Sequence, residues 1–205
     1  GAMLLKAPGV YVAKPEGDAV AHEVFLRGFD AEHGQDIAFS LGPFPLNQPS
    51  HLHGQSYADL NFIIPELVRG LRVTEGVYDP RQGDFAVAGS IDFDLAVAER
   101  GVLLATSFGS LGAWRMLGLW APEGEPDETF AAFDLRRADG YGDNRGSLSG
   151  STMGQVILPL PDAWRLTLLA SAYSARANLA GVVRLEDVDA GRVGWFDSYT
   201  DPSAN

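Results

Sequence analysis

Residues 164–173 read Trp164-Arg165-Leu166-Thr167-Leu168-Leu169-Ala170-Ser171-Ala172-Tyr173, "WRLTLLASAY". Successive side chains of a strand point to opposite faces, so Trp164, Leu166, Leu168, Ala170 and Ala172 share one side. Arg165, Thr167, Ser171 and Tyr173 share the other, with Leu169 the exception. A strand with one apolar and one polar face has two homes. In a soluble sandwich the apolar face lies on a core; in a membrane barrel it lies on lipid. Alternation alone does not choose between them.

The same texture runs upstream to about Gly101, in segments of roughly ten residues separated by turn residues, as barrel strands are. Val102, Leu104, Thr106 and Phe108 oppose Leu103, Ala105, Ser107 and Gly109. Trp114, Met116 and Trp120 lie together, opposite Arg115, and Ala131, Phe133 and Leu135 oppose Ala132, Asp134 and Arg136. Met153 to Leu160 has no clean period but is taken as a further strand. Trp114, Trp120 and Trp164 fall near strand ends, where a barrel carries its aromatic girdles and where a soluble sheet equally places core or interface tryptophans. Beyond Gly181 the chain reads as irregular and acidic, through Glu186, Asp187 and Asp189.

Residues 4 to about 95 have a different, mixed character. Val10-Tyr11-Val12, Glu23-Val24-Phe25-Leu26-Arg27 and Ile37-Ala38-Phe39-Ser40-Leu41 read as strands. Pro65 suits the first position of a helix, and Glu66 in its first turn favours the positive end of the dipole. The expected helix closes at Gly70, and Leu71 to Glu75 alternate as a strand.

Composition removes several functions. With 15 basic and 27 acidic residues, and a formal net charge of -12, the chain carries no basic stripe to displace counterions from nucleic acid. It has no cysteine, hence no disulfide, thiolate ligand or thiol nucleophile. Gly1-Ala2-Met3 reads as the remnant of a cleaved tag. His51 and His53 share one face of His51-Leu52-His53, but no third ligand follows at a metal-site spacing, and an exposed polar loop is the expectation. The tripeptide His-Gly-Gln occurs at 33–35 and again at 53–55, too short to read as a repeat. Gly140 to Gly146 lacks the spacing and following helix of a dinucleotide loop. Gly109-Ser110-Leu111-Gly112 lies between strands and lacks the spacing of a nucleophile elbow. Asp36, Asp59, Asp79, Asp84, Asp92 and Asp94 are frequent enough to give carboxylate pairs by chance, and solvated loops are their default.

Three blocks taken in order carry a resemblance: Leu26-Arg27-Gly28-Phe29, then Pro65 to Gly76 ("PELVRGLRVTEG"), then Ala88-Gly89-Ser90-Ile91. Together they resemble the plug of TonB-dependent outer-membrane receptors. The resemblance implies an α+β plug domain over residues 4–97, followed over 98–205 by antiparallel strands of a truncated transmembrane β-barrel. Leu111-Gly112 would be the first outer turn and Glu123 to Glu128 the first periplasmic one. No stretch near the start matches a TonB box, and Ser40-Leu41-Gly42-Pro43 departs from the family's usual Asp-Gly turn. The chain is accordingly expected to be a fragment, truncated at both ends.

By the same resemblance the parent protein is a transporter in the outer membrane of a Gram-negative bacterium. It would take up a scarce small ligand of the siderophore, cobalamin, sugar or metal-chelate class. Its partners would be a TonB-type inner-membrane energy transducer, the ligand and outer-membrane lipid, with no nucleic acid. No cofactor, metal or catalytic residue is implied. The plug positions carried over are Leu26, Arg27, Gly28, Phe29, Glu66, Arg72, Glu75, Gly76, Arg81, Gly83 and Gly89. His51, His53 and Tyr57 are candidates to face ligand. Gly83 and Gly89 would allow close backbone approach, while Asp79, Arg81 and Asp84 would meet the barrel wall. Two other readings stay open: a soluble β-rich binding or structural module, and a serine-type hydrolase.

Overall fold

A computed structural model describes residues 3–14 and 20–199. The expected tag residues Gly1 and Ala2, and residues 200–205 of the second expected region, lie outside it. Three sheets account for nearly all of the regular structure.

Strands β1 (Val10–Ala13), β2 (Glu23–Leu26) and β3 (Phe29–Ala31) form a small antiparallel sheet in that order. The hairpin joining β2 to β3 pairs Leu26 with Phe29, so its loop is only Arg27 and Gly28. Both have positive φ, 49° and 89°, as the tight turn that matches strand twist requires. The expected strand through Arg27 therefore stops at Leu26, and Arg27 belongs to the turn.

A second sheet holds β4 (Ile37–Leu41), β5 (Phe44–Pro45), β6 (Val68–Glu75) and β7 (Gly89–Leu95) in the order β5-β4-β7-β6. Strands β4 and β7 run parallel; the other pairs are antiparallel. The helix expected from Pro65 to Gly70 is a single 3-10 turn, Pro65–Leu67. Its start signals are satisfied, but the ladder to β7 claims the chain from Val68 onward, with a bulge between Val68 and Gly70. Only one α-helix occurs among the described residues, α1 (Leu185–Asp189), in the stretch expected to be irregular. The α+β expectation is corrected accordingly: the chain is mostly β-sheet.

The third sheet is an antiparallel meander of β8 (Gly101–Phe108), β9 (Trp114–Ala121), β10 (Phe130–Ala138), β11 (Ser147–Pro159) and β12 (Arg165–Ala177). It does not close on itself. Strand β11 is longer than the expected segment because its first half, Ser147-Leu148-Ser149-Gly150-Ser151, has a hydroxyl face rather than an apolar one.

Register shows which residues share a face. Arg115 pairs with Ser107 and Arg136, Leu117 with Asp134, and Leu119 with Leu103 and Ala132. On this face Leu117, Leu119, Ala121, Phe130, Ala132 and Met153 are buried in one core with Ile64, Leu67, Ile91 and Phe93. Leu169, the exception in the alternation of β12, packs against that core. The opposite face carries Val102, Leu104, Phe108, Trp120, Leu148, Leu158, Leu166 and Leu168, all exposed. The five-stranded sheet thus lays one face over the part of the fold that precedes it and turns its other, apolar face outward.

Candidate functional site

Where the second sheet meets the third, four charged side chains converge. Ile64 and Leu67 are fully buried, so the 3-10 turn between them directs Glu66 away from the core. There Arg115 of β9 grips it with both ends of its fork, Nη1 to Oε1 and Nη2 to Oε2, each at 2.7 Å. The same guanidinium donates from Nε to Asp134 Oδ2 on β10 at 2.9 Å, and Nη2 also bonds Asp134. Arg136, two residues along β10, closes on Asp134 from the other side at 2.7 and 3.0 Å. The Asp134 side chain is 2% exposed, so the two guanidinium groups replace its water. The Arg115 hydrogen bonds hold the Glu66 carboxyl below its ordinary range, and burial only partly offsets them. Beside this cluster lies a polar cavity of about 320 Å³, lined by Lys14, Asn61, Ser107, Arg136, Ser149 and Tyr173 among others.

The sequence pattern sets Arg115 opposite Trp114, Met116 and Trp120 on one strand, and Asp134 with Arg136 on the next, but joins neither to the other or to Glu66. The usable signal is a charge inside an otherwise apolar strand, Trp114 to Ala121.

Arg27 reaches Glu75 at the end of β6, Nη1 to Oε2 at 2.5 Å, rather than the nearer-in-sequence Glu23 or Asp30. Both partners are exposed, so the pair itself contributes little. Leu26 is buried and Phe29 exposed on the same hairpin. Arg72 is exposed and faces Asp92 across the β6–β7 ladder. Gly76, at φ 76°, ends β6, its N–H donating to Ala88 O. Arg81 pairs with Asp79 at 2.6 Å, and its hydrogen bonds hold that carboxyl down to about 2. Asp79 and Arg81 therefore satisfy one another locally, and Asp84 is exposed.

The two glycines part company. A Cβ on Gly89 would stand 2.2 Å from Thr74 O, and the residue has φ +149°. A Cβ on Gly83 would meet nothing within 4 Å, so no close approach explains that glycine. Gly89→Ala is expected to lower stability by roughly 1–3 kcal/mol, from strain in a conformation that L-residues avoid and from parting β6 and β7. Gly83→Ala should stay within about 0.5 kcal/mol. Urea midpoints of the two variants check this; equal midpoints would contradict the close packing at Gly89.

His51 is partly buried, while Leu52 and His53 are exposed, as the polar-loop expectation has it. The His51 ring stacks on Tyr57 at 3.9 Å, His53 lies 5.7 Å from His51, and buried His33 meets His53 edge-on at 5.3 Å. The two His-Gly-Gln tripeptides are thereby brought together. Asn47 fixes this loop from below, accepting from Phe39 N at 2.6 Å and donating to the Ile37 and Ser56 carbonyls. No group of three or more His, Asp or Glu among the described residues is set to hold a metal ion.

No protein-family model and no curated sequence matches the chain. Solved structures do. The pyoverdine outer membrane receptor FpvA from Pseudomonas aeruginosa PAO1, bound to pyoverdine, aligns over 83% of this chain at TM-score 0.60 and 15% identity. The copper transporter OprC aligns over 87% at TM-score 0.60 and 20% identity. The fold is shared with a receptor and a transporter. The chain spans about a quarter of their length, 24% of the first and 28% of the second.

Proposed function

We propose that the chain is the plug and the opening wall strands of a TonB-dependent outer-membrane receptor. Residues 4–97 form the plug and 98–205 the first part of the wall. The full-length protein sits in the outer membrane of a Gram-negative bacterium and imports a scarce small ligand, using a TonB-type inner-membrane transducer. The chain itself has no catalytic task.

One observation carries this reading. The five-stranded sheet buries its mixed face, from Leu117 to Met153, against the first part of the fold, and leaves Leu104, Leu148, Leu166 and Leu168 uncovered on the other. A soluble sandwich would cover the apolar face; lipid does so in a barrel. The serine-hydrolase reading has no support in geometry, since Ser110 sits in the hairpin turn between β8 and β9.

The remaining features fit a plug that must hold and yet be remodelled. Its contact with the wall near Glu66 is ionic and borders a cavity with room for roughly ten waters. Such wet polar contacts are rearranged at lower cost than a dry apolar seam. Arg27, Glu66, Arg72, Glu75 and Arg81 are its polar fittings, and Gly76 and Gly89 its tight ones. His51, His53 and Tyr57 form a preformed ring surface for ligand, whose class remains open among siderophores, cobalamins, sugars and metal chelates.

Trp164 provides the test. It is exposed, precedes β12, and lies at the same end of the sheet as Trp120. In a single-tryptophan variant reconstituted in lipid, the other three tryptophans being replaced by phenylalanine, its fluorescence should be quenched by probes at headgroup depth. A protein that stays out of lipid, with Trp164 blind to every such probe, would end the membrane reading.

A further inference from the structure

Between β7 and β8 the chain passes through residues 96–100, and one side chain there makes more backbone contacts than any ladder position needs. Arg100 is half-buried. It donates from Nε and Nη2 to Pro122 O at 3.1 and 2.9 Å, and from Nη2 to Thr129 O at 2.8 Å. From Nη1 it donates to Val97 O at 2.7 Å and Asp127 O at 3.4 Å. These carbonyls belong to its own linker and to both ends of the turn joining β9 to β10. The linker adds a backbone bond to the same turn, Val97 N to Asp127 O at 2.8 Å. Only a fixed planar fork offers five donors that can reach four carbonyls at once.

The turn is held from its far side too. Gln155 Nε2 of β11 donates to Glu128 O at 2.9 Å, and Ile157 N donates to Thr129 Oγ1 at 3.3 Å. Arg165 of β12 pairs with the Glu128 carboxylate at 3.3 Å. The turn is therefore part of the five-stranded sheet mechanically, and Arg100 ties the linker to it. Toward the second sheet the linker has a slighter connection, Ala96 N to Leu67 O at 3.0 Å.

We propose that Arg100 is a positioning residue that fastens the linker 96–100 to the 122–129 turn, so that the linker opens with the five-stranded sheet and not with the sheets before it. Resting on the plug reading above, this gives remodelling of the plug a fixed end: whatever part of residues 4–95 moves, motion stops at Val97. A charged fork bound to carbonyls also resists separation better than neutral pairs would.

Native-state hydrogen exchange in increasing urea reads this without any ligand or transport assay. It is run on the full-length protein in whichever medium keeps it monodisperse, so a failure of the membrane reading leaves it intact. In the wild type the Val97 amide should exchange in the same urea-dependent opening as Leu117 and Leu119. The Ala88 amide, bound to Asp36 O, should open earlier. In Arg100→Lys, which keeps the charge but not the fork, Val97 should exchange at least tenfold faster and join Ala88, while Leu119 is unchanged. Arg100→Ala should do the same or more. The proposal is overturned if wild-type Val97 opens with Ala88, or if Val97 is equally protected in Arg100→Lys. Equal acceleration at Leu119 also overturns it, because Arg100 would then support the whole sheet rather than the linker.

Discussion

Replacing Arg115 by alanine is expected to be the most damaging single change at the junction of the two parts. Arg115 is shared by Glu66 and Asp134, and the Asp134 side chain is almost wholly out of water. Removing one partner of a buried ionic group leaves charge that neither solvent nor neighbour compensates, a loss of about 3–5 kcal/mol. Arg136 keeps its own bonds to Asp134, which moves the expectation to the lower half of that range. Arg115→Lys should recover only part of it, since an ammonium cannot bind two carboxylates bidentately. Glu66→Gln should cost least, because Asp134 keeps both guanidinium groups. The measurement is the denaturant midpoint of each variant, with the Arg115/Glu66 double mutant closing the cycle. An Arg115→Ala midpoint equal to wild type would remove the cluster from the list of structural ties.

The same cluster sets a pH dependence with a defined sign. The Glu66 carboxyl lies below its ordinary value of 4.5 in the folded protein, owing first to the Arg115 hydrogen bonds. A lowered folded value means that the stabilisation is complete above the ordinary value and is lost as pH falls through the folded one. Acidification through and below the ordinary carboxylate range should therefore loosen the junction in wild type, and Glu66→Gln should flatten that part of the profile.

How much of this was legible follows from what each residue answers to. The faces of β12 could be read because a period of two puts Leu166, Leu168 and Ala170 together, and even Leu169, the odd residue, is explained by its contact with the core. Strand β11 could not be read at its start because Ser147, Ser149 and Ser151 face inward, and a hydroxyl stripe looks like a loop. The Pro65 helix shows local preference losing to pairing: Val68 and Gly70 are claimed by Leu95 and Asp94 of β7. Glu75 and Gly89 were visible as part of an ordered motif, but Glu66–Arg115 joins residues 49 apart, and no local pattern encodes that contact. Likewise His33 and His53 meet only because Asn47 and Ser56 fold the loop back on Gly34, through bonds from Asn47 Nδ2 at 3.2 Å and Ser56 Oγ at 2.9 Å.

On the reading proposed above, Leu168→Arg is expected to prevent assembly in a bilayer, whereas Thr167→Arg is not, and the contrast isolates the outward face of the five-stranded sheet. Leu168 stands opposite Val156, and Thr167 opposite Ile157, so the two neighbours lie on opposite faces of the same strand pair. Leu168 is exposed on the apolar side with Leu158 and Leu166, while Thr167 is half-buried on the side of the core. At mid-depth in hydrocarbon an arginine on the lipid face costs roughly 2–4 kcal/mol, and lumen substitutions are mild by comparison. If the apolar face were merely solvent-exposed, Leu168→Arg would be neutral or would improve solubility, because it removes an uncovered apolar group from water. The two surroundings therefore predict opposite signs for one substitution. Folding of the full-length variants into lipid vesicles, followed by the mobility shift of folded barrel on unboiled gels, reads that sign directly. A Leu168→Arg protein that inserts as well as wild type, while Thr167→Arg fails, would mean that the faces of the wall are the reverse of those described.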